Sequence, residues 1–234
     1  SVLDKDLFIG GFLGVDIFFV LTGFLITSML VIEFRENNSI NISYFYLRRI
    51  KRLVPALLIV ITLATFFSYF FLDPVKIKEF SHSVFYSLVF LPNFYFHYFG
   101  NFYGGDNNLY KPLLHLWSLG IEEQFYIFYP LFLIITFKYF KKFIKFFLFV
   151  GFIVSFAFAE YASNNHAMFS FYMLPSRAWE IILGALLAIY LLEKKLSFSL
   201  SSFQKNLIYF VSIILIFYFI FSYDIYNHKH PSSS

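Results

Sequence analysis

"FLGVDIFFVLTGFLITSMLVI", residues 12–32, is an apolar run that carries one charge, Asp16. At about 1.5 Å of rise per residue, a helix of that length crosses a hydrocarbon core of about 30 Å. The pattern returns along the chain: residues 55–72, 113–137, 146–159, 175–192 and 207–222 form further apolar stretches. Hydrophobic residues make up 59% of the 234 and charged residues only 14%. A soluble fold of this size cannot hide that much apolar surface. The reading is therefore an all-α, polytopic transmembrane helical bundle, with the lipid bilayer as its first partner and no nucleic-acid partner. No alternating barrel pattern, internal repeat or soluble domain is visible. The lack of cysteine excludes disulfides, thiolate metal sites and a cysteine nucleophile. His228 and His230 in "HKH" have no third ligand beside them, so no metal is expected.

Basic residues gather in three places. They are Arg48, Arg49, Lys51 and Arg52; then Lys138, Lys141, Lys142 and Lys145; then Lys194 and Lys195. The positive-inside rule places all three on the cytoplasmic side. The polar loop 100–112 must then lie outside, because one span links it to the second cluster. The stretch after residue 72 also starts outside, so segment 80–99 begins and ends on one side. It is expected to be re-entrant or interfacial, broken near Pro92 and Asn93, a geometry tolerated against protein or water. The alternative is an ordinary span with one lysine cluster breaking the rule.

Ionisable groups in spans mark functional interiors, and four constellations carry them. "GGFLGVDIFFVLTGFLIT" (10–27) holds Asp16 with Gly14 and Gly23, which permit close helix contact; an interfacial aspartate with packing glycines is the plainer reading. In "FYLRRIKRLVP", Arg48 and Arg52 share a helical face with Arg49 beside them. Guanidinium forks suit the phosphates of a nucleotide-like ligand, and a topology anchor is the alternative. "LLHLWSLGIEEQFYIFYP" (113–130) sets His115 and Glu122 seven apart on one face, and Glu122 and Tyr126 four apart. Imidazole and carboxylate move protons. The alternative is a polar boundary cap with Trp117 and Tyr126 as belt aromatics. Glu122 and Glu123 point about 100° apart, so at least one needs a partner within the protein. Finally, Arg177 and Glu180 in "YMLPSRAWEIILGALLA" (172–188) are three apart and can pair with each other.

In this order the four constellations resemble the integral-membrane acyltransferase 3 family, bacterial O-acyltransferases that decorate surface polysaccharides. The first resembles the family's glycine–Val–Asp–x–Phe–Phe helix and the second its arginine motif. The third resembles its His–x–Trp–Ser–Leu–x–x–Glu–x–Gln–Phe–Tyr signature, and the fourth its Arg–x–Trp–Glu–x–x–x–Gly element. The resemblance implies a bacterial inner-membrane enzyme that takes an acetyl group from cytoplasmic acetyl-CoA, or another acyl-CoA, to a sugar hydroxyl of a cell-surface or lipid-linked glycan such as lipopolysaccharide. It implies that Arg48, Arg49 and Arg52 contact the donor phosphates. It also implies that His115, Glu122, Glu123 and Asp16 do the chemistry, with Trp117, Tyr126, Arg177 and Glu180 in support. Ser118 is a conceivable acyl carrier, although an ordinary helix serine is the simpler reading. The family's first helix, with its arginine and histidine, has no counterpart after Ser1, and its closing helices have none before Ser234. The chain is thus expected to be a partial membrane domain, inactive alone. A glycan transporter or flippase and a non-catalytic scaffold are the rival classes; the former predicts repeated halves.

Overall fold

In the computed structural model, residues 11–100 and 110–194, with Asn206 and Phe210, are described. Their order is α1 (Gly11–Asn37), α2 (Ile42–Phe71), α3 (Pro74–Leu88), α4 (Pro92–Phe99), α5 (Trp117–Tyr139), α6 (Ile144–Asn165), α7 (Ala167–Tyr172) and α8 (Leu174–Lys194), and no strand occurs among the described residues. The all-α bundle read from the sequence is what forms. Among the described residues, five segments are long and apolar enough to cross a membrane: Gly14–Asn37, Ile42–Phe71, Leu114–Tyr139, Lys141–Asn165 and Ala167–Glu193. The expected stretch 207–222 lies, but for Phe210, outside the described residues, as do Lys195, His228 and His230.

Burial identifies the centre. Half of the α5 span is covered by protein, against 17% of the α2 and α6 spans. Ile121, Phe125, Tyr129 and Leu133 of α5 join Phe19, Ile26 and Leu30 of α1 in the main core. Leu58, Phe66 and Phe70 of α2 and Phe146, Phe149 and Val154 of α6 stay exposed, as side chains facing lipid do. Helices α1 and α8 approach most closely. A Cβ built on Gly23 would fall on the Ile181 carbonyl, and one on Gly184 would fall on the Val20 carbonyl. These two glycines let the backbones touch.

Several boundaries outrun the apolar runs. The second apolar run begins at residue 55, but α2 starts at Ile42, with Pro55 inside the helix and Asn41 capping the start by accepting from the Tyr44 N–H at 2.9 Å. The arginines therefore sit on a formed helix. Helix α1 runs on to Asn37 and ends at Asn38, whose φ of 51° is the left-handed conformation that asparagine tolerates. The six-residue α7 had no signal of its own in the apolar pattern.

Segment 80–99 breaks as expected, two residues earlier than Pro92–Asn93. The Leu91 N–H bonds the Tyr86 carbonyl at 2.8 Å while Phe90 takes a φ of 58°, closing α3 in a Schellman-type turn normally built on glycine. Pro92 then opens α4 in the first helical position, where its missing N–H costs nothing. Helix α4 folds back on α3: the Tyr95 hydroxyl donates to the Glu79 carbonyl at 2.8 Å. Lys76 at the start of α3 sits 3.5 Å over the Tyr110 ring, so the chain leaving α4 returns to the end where α3 began.

The basic clusters meet at the opposite end. Lys145 of α6 pairs with Glu193 of α8, and Arg35 of α1 donates to the Leu192 carbonyl at 2.9 Å. Lys141 lies 6.0 Å from the Phe34 ring centroid. Helix α2 starts at this end too, because Glu33 of α1 accepts from the Asn41 N–H at 2.8 Å and pairs with Arg48 at 3.5 Å.

Candidate functional site

The arginine helix and the histidine–glutamate helix face each other across a cavity of about 420 Å³, closed on the third side by Phe18, Leu21, Thr22 and Leu25 of α1. Helix α2 contributes Arg49, Arg52 and Leu53; α5 and the short 3₁₀ turn before it contribute His115, Ser118, Glu122 and Tyr126. Spacing explains the α5 face: residues 115, 118, 122 and 126 recur every three or four positions and so line one side. Arg49 and Arg52, three apart, do the same on α2.

Contacts fix the order within the cavity. The Arg49 guanidinium lies 3.9 Å over the Tyr126 ring, a cation–π contact. The Tyr126 hydroxyl donates to Glu122 Oε2 at 3.1 Å, the i,i+4 pairing expected from the sequence. Glu122 is 4% exposed and its Oε1 has no protein partner, so one buried acceptor is left free at the cavity. His115 is exposed, on the opposite side of Glu122 along the helix from the Arg49–Tyr126 stack. The Ser118 hydroxyl donates back to the His115 carbonyl at 3.3 Å, the bonding of an ordinary helix serine.

Other candidates lie elsewhere. Arg48 turns to Glu33 and covers the Tyr44 ring at 4.2 Å, so it is not among the residues lining the cavity. The face shared by Arg48 and Arg52 in the sequence reading gives way to the pair Arg49 and Arg52, because Glu33 draws Arg48 sideways. Glu123 also points away from the cavity and keeps a buried oxygen, Oε1, without a partner. Trp117 and Tyr126 are each 1% exposed, which rules out the belt-aromatic alternative. Trp117 instead packs between Phe19, Phe171 and Tyr172.

Asp16, Arg177 and Glu180 form a second polar centre. Arg177 Nη1 donates to Asp16 Oδ1 at 2.9 Å and to Glu180 Oε1 at 2.8 Å. The Arg177–Glu180 pair was legible at i,i+3, whereas Asp16 joins from 161 positions away. The sequence reading missed Asn93. This residue is wholly buried, accepts from Gln124 Nε2 at 2.8 Å and donates to the Tyr172 carbonyl at 3.1 Å. A Cβ on Gly120 would come within 2.7 Å of Asn93 Oδ1, so the glycine of the α5 motif is the seat of the α3–α4 hairpin. The asparagine after Pro92 was a signal only of the break. No group of three His, Cys, Asp or Glu suited to a metal occurs among the described residues.

Residues 2–233 match the family described as an acyltransferase domain, Acyl_transf_3. The chain belongs to the acyltransferase 3 family. Among curated relatives, it is 40% identical over 133 residues to the peptidoglycan O-acetyltransferase OatA of Listeria monocytogenes, covering 57% of this chain and 21% of that protein. An uncharacterized protein of Haemophilus influenzae is 34% identical over 213 residues, covering 86% of this chain and 84% of its own length. A putative O-acetyltransferase of Staphylococcus aureus is 36% identical over 198 residues, 80% of this chain and 31% of that protein. The chain thus spans from about a fifth to most of the relatives it matches. No solved structure matches.

Proposed function

We propose that this acyltransferase domain moves an acetyl or other acyl group from an acyl-CoA, approached from the cytoplasmic end, to a hydroxyl of a cell-envelope glycan at the far end. The membrane concerned is the bacterial inner membrane. The observation that carries the reading is the shared cavity, with Arg49 and Arg52 toward one end, His115 at the other and Glu122 between. Two guanidinium groups three residues apart suit a donor's phosphates, which they can grip through paired N–H bonds. The names of the Listeria and Staphylococcus relatives support acetyl as the group, and the peptidoglycan in the first supports a glycan as the acceptor class.

In this reading the acceptor oxygen attacks the thioester carbonyl carbon, the carbon–sulfur bond breaks, and the thiol leaves. His115 takes the hydroxyl proton, since it is the imidazole at the open end of the cavity, and a proton returns to the departing sulfur. The free Oε1 of Glu122 orients the acceptor or the imidazolium that forms. Asp16 and Glu123 stand outside this cavity; the part of Asp16 is to hold α1 against α8 through Arg177. The test is a full-length membrane preparation given radiolabelled acetyl-CoA and isolated cell-surface glycan. Label should appear as a base-labile ester on a sugar; intact protein with no transfer to any sugar hydroxyl would overturn the reading.

A further inference from the structure

A second cavity, of about 450 Å³, lies between the later half of α6, α7 and the first turns of α8, at the end away from Lys145 and Glu193. Arg177 and Glu180 make its floor, the exposed Glu160 and Ser163 its rim, and Phe171 and Trp179 line its sides. Glu180 is wholly buried; its Oε1 accepts from Arg177, and its Oε2 has no protein partner. A buried carboxylate oxygen in a cavity floor calls for a donor from whatever fills the cavity.

We propose that this cavity is a carbohydrate subsite that binds a sugar ring of the glycan acceptor, which rests on the acyl-transfer reading above. The lining selects among ligand classes. An anion would meet two carboxylates, a simple cation would meet the Arg177 guanidinium, and a lipid tail would leave Glu180 Oε2 without a donor. A sugar offers hydroxyls that both donate and accept, so it can donate to Glu180 Oε2 and Glu160 while accepting from Arg177. Its C–H face can lie against the apolar face of Trp179 or Phe171. Position favours the same ligand. Leu116 and Ser118 line the first cavity, and the Trp117 ring between them lies 5.8 Å from the Arg177 guanidinium. Both cavities thus adjoin the start of α5, which presents His115 and Ser118 to the first and packs Trp117 near the Arg177 of the second.

The test uses the full-length protein in lipid nanodiscs, titrated calorimetrically with an N-acetylglucosamine tetrasaccharide and with a neutral hexose tetrasaccharide. At least one should bind, and Glu160→Gln and Trp179→Leu should each weaken it about fivefold or more. Acyl-CoA binding in the same samples should stay within about twofold. Glu180→Gln should weaken the sugar further; because its burial risks misfolding, the two rim and wall variants carry the decision. Failure of both oligosaccharides to bind, or binding that neither variant changes, overturns the subsite even if acyl transfer proceeds. Sugar binding that the variants weaken, in a protein that transfers no acyl group, keeps the subsite and removes the acyl-transfer reading.

Discussion

Arg49 stacks 3.9 Å above Tyr126, and the same tyrosine donates its hydroxyl to Glu122 at 3.1 Å. Through that one ring, the cation of the arginine motif and the carboxylate of the α5 motif are held on opposite sides of a shared cavity. The Tyr46 hydroxyl, donating to the Tyr126 and Ile127 carbonyls at 3.2 Å, pins α2 to α5 at the same level.

The α1–α8 contact should be intolerant of a single methyl group. Gly23→Ala and Gly184→Ala each place a Cβ on an opposing carbonyl and should cost about 1–3 kcal/mol by overpacking. Gly14→Ala, with nothing within 4 Å of its Cβ, should stay within about 0.5 kcal/mol. Thermal unfolding in a mild detergent separates the two classes; equal shifts at all three positions would mean that the close approach is absent.

Arg177 should matter more than either carboxylate it holds. Arg177→Ala strands Asp16 and the buried Glu180 together, and should cost about 3–5 kcal/mol. Asp16→Asn keeps the Arg177–Glu180 pair and removes a partner that is 32% exposed, so the loss should be smaller. Unfolding in mixed micelles gives the order, and a reversed order would show that the cluster does not hang on the guanidinium.

Part of this fold is legible in the sequence, and part is not. The existence of the spans, the break beside Pro92 and the Glu122–Tyr126 pair follow from hydropathy, a missing N–H and an i,i+4 spacing, all local properties. The Asp16–Arg177 bond joins α1 to α8, and the diversion of Arg48 to Glu33 depends on how α2 leaves its turn. Neither is written in a neighbouring residue. Hydropathy also hides helix starts where polar residues extend a helix beyond its apolar part, as at Ile42. Asn93 escaped notice because a lone asparagine after a proline looks like turn chemistry; its burial appears only once Gly120 and Gln124 are brought against it.

Sidedness can be read with cysteines, since the chain has none of its own. Lys76→Cys and Tyr110→Cys should label together with an impermeant maleimide added outside intact cells, because the two residues touch. Lys142→Cys should label only after lysis. Labelling of positions 76 and 110 from opposite sides would contradict the folded-back hairpin.

The start of α3 should loosen in acid. Asp73 Oδ1 accepts from the Lys76 N–H at 2.9 Å, and that bond holds the carboxyl below the usual carboxylate range. A lowered value in the folded state means that its contribution is complete above the unfolded value and is lost as pH falls through the folded one. Amide exchange at residues 75–77, taken relative to the intrinsic rate at each pH, should therefore rise at low pH. In Asp73→Asn, which caps without titrating, that rise should be absent; the same rise in the variant would assign the effect elsewhere.

The most direct measurement of the central claim is the acyl-CoA dependence of transfer in full-length Arg48→Ala, Arg49→Ala and Arg52→Ala. Arg49 and Arg52 line the cavity, whereas Arg48 pairs with Glu33 outside it. The account predicts that KM for acyl-CoA rises about tenfold or more in Arg49→Ala and Arg52→Ala and changes little in Arg48→Ala. An unchanged KM in the first two, or an equal rise in all three, would contradict it.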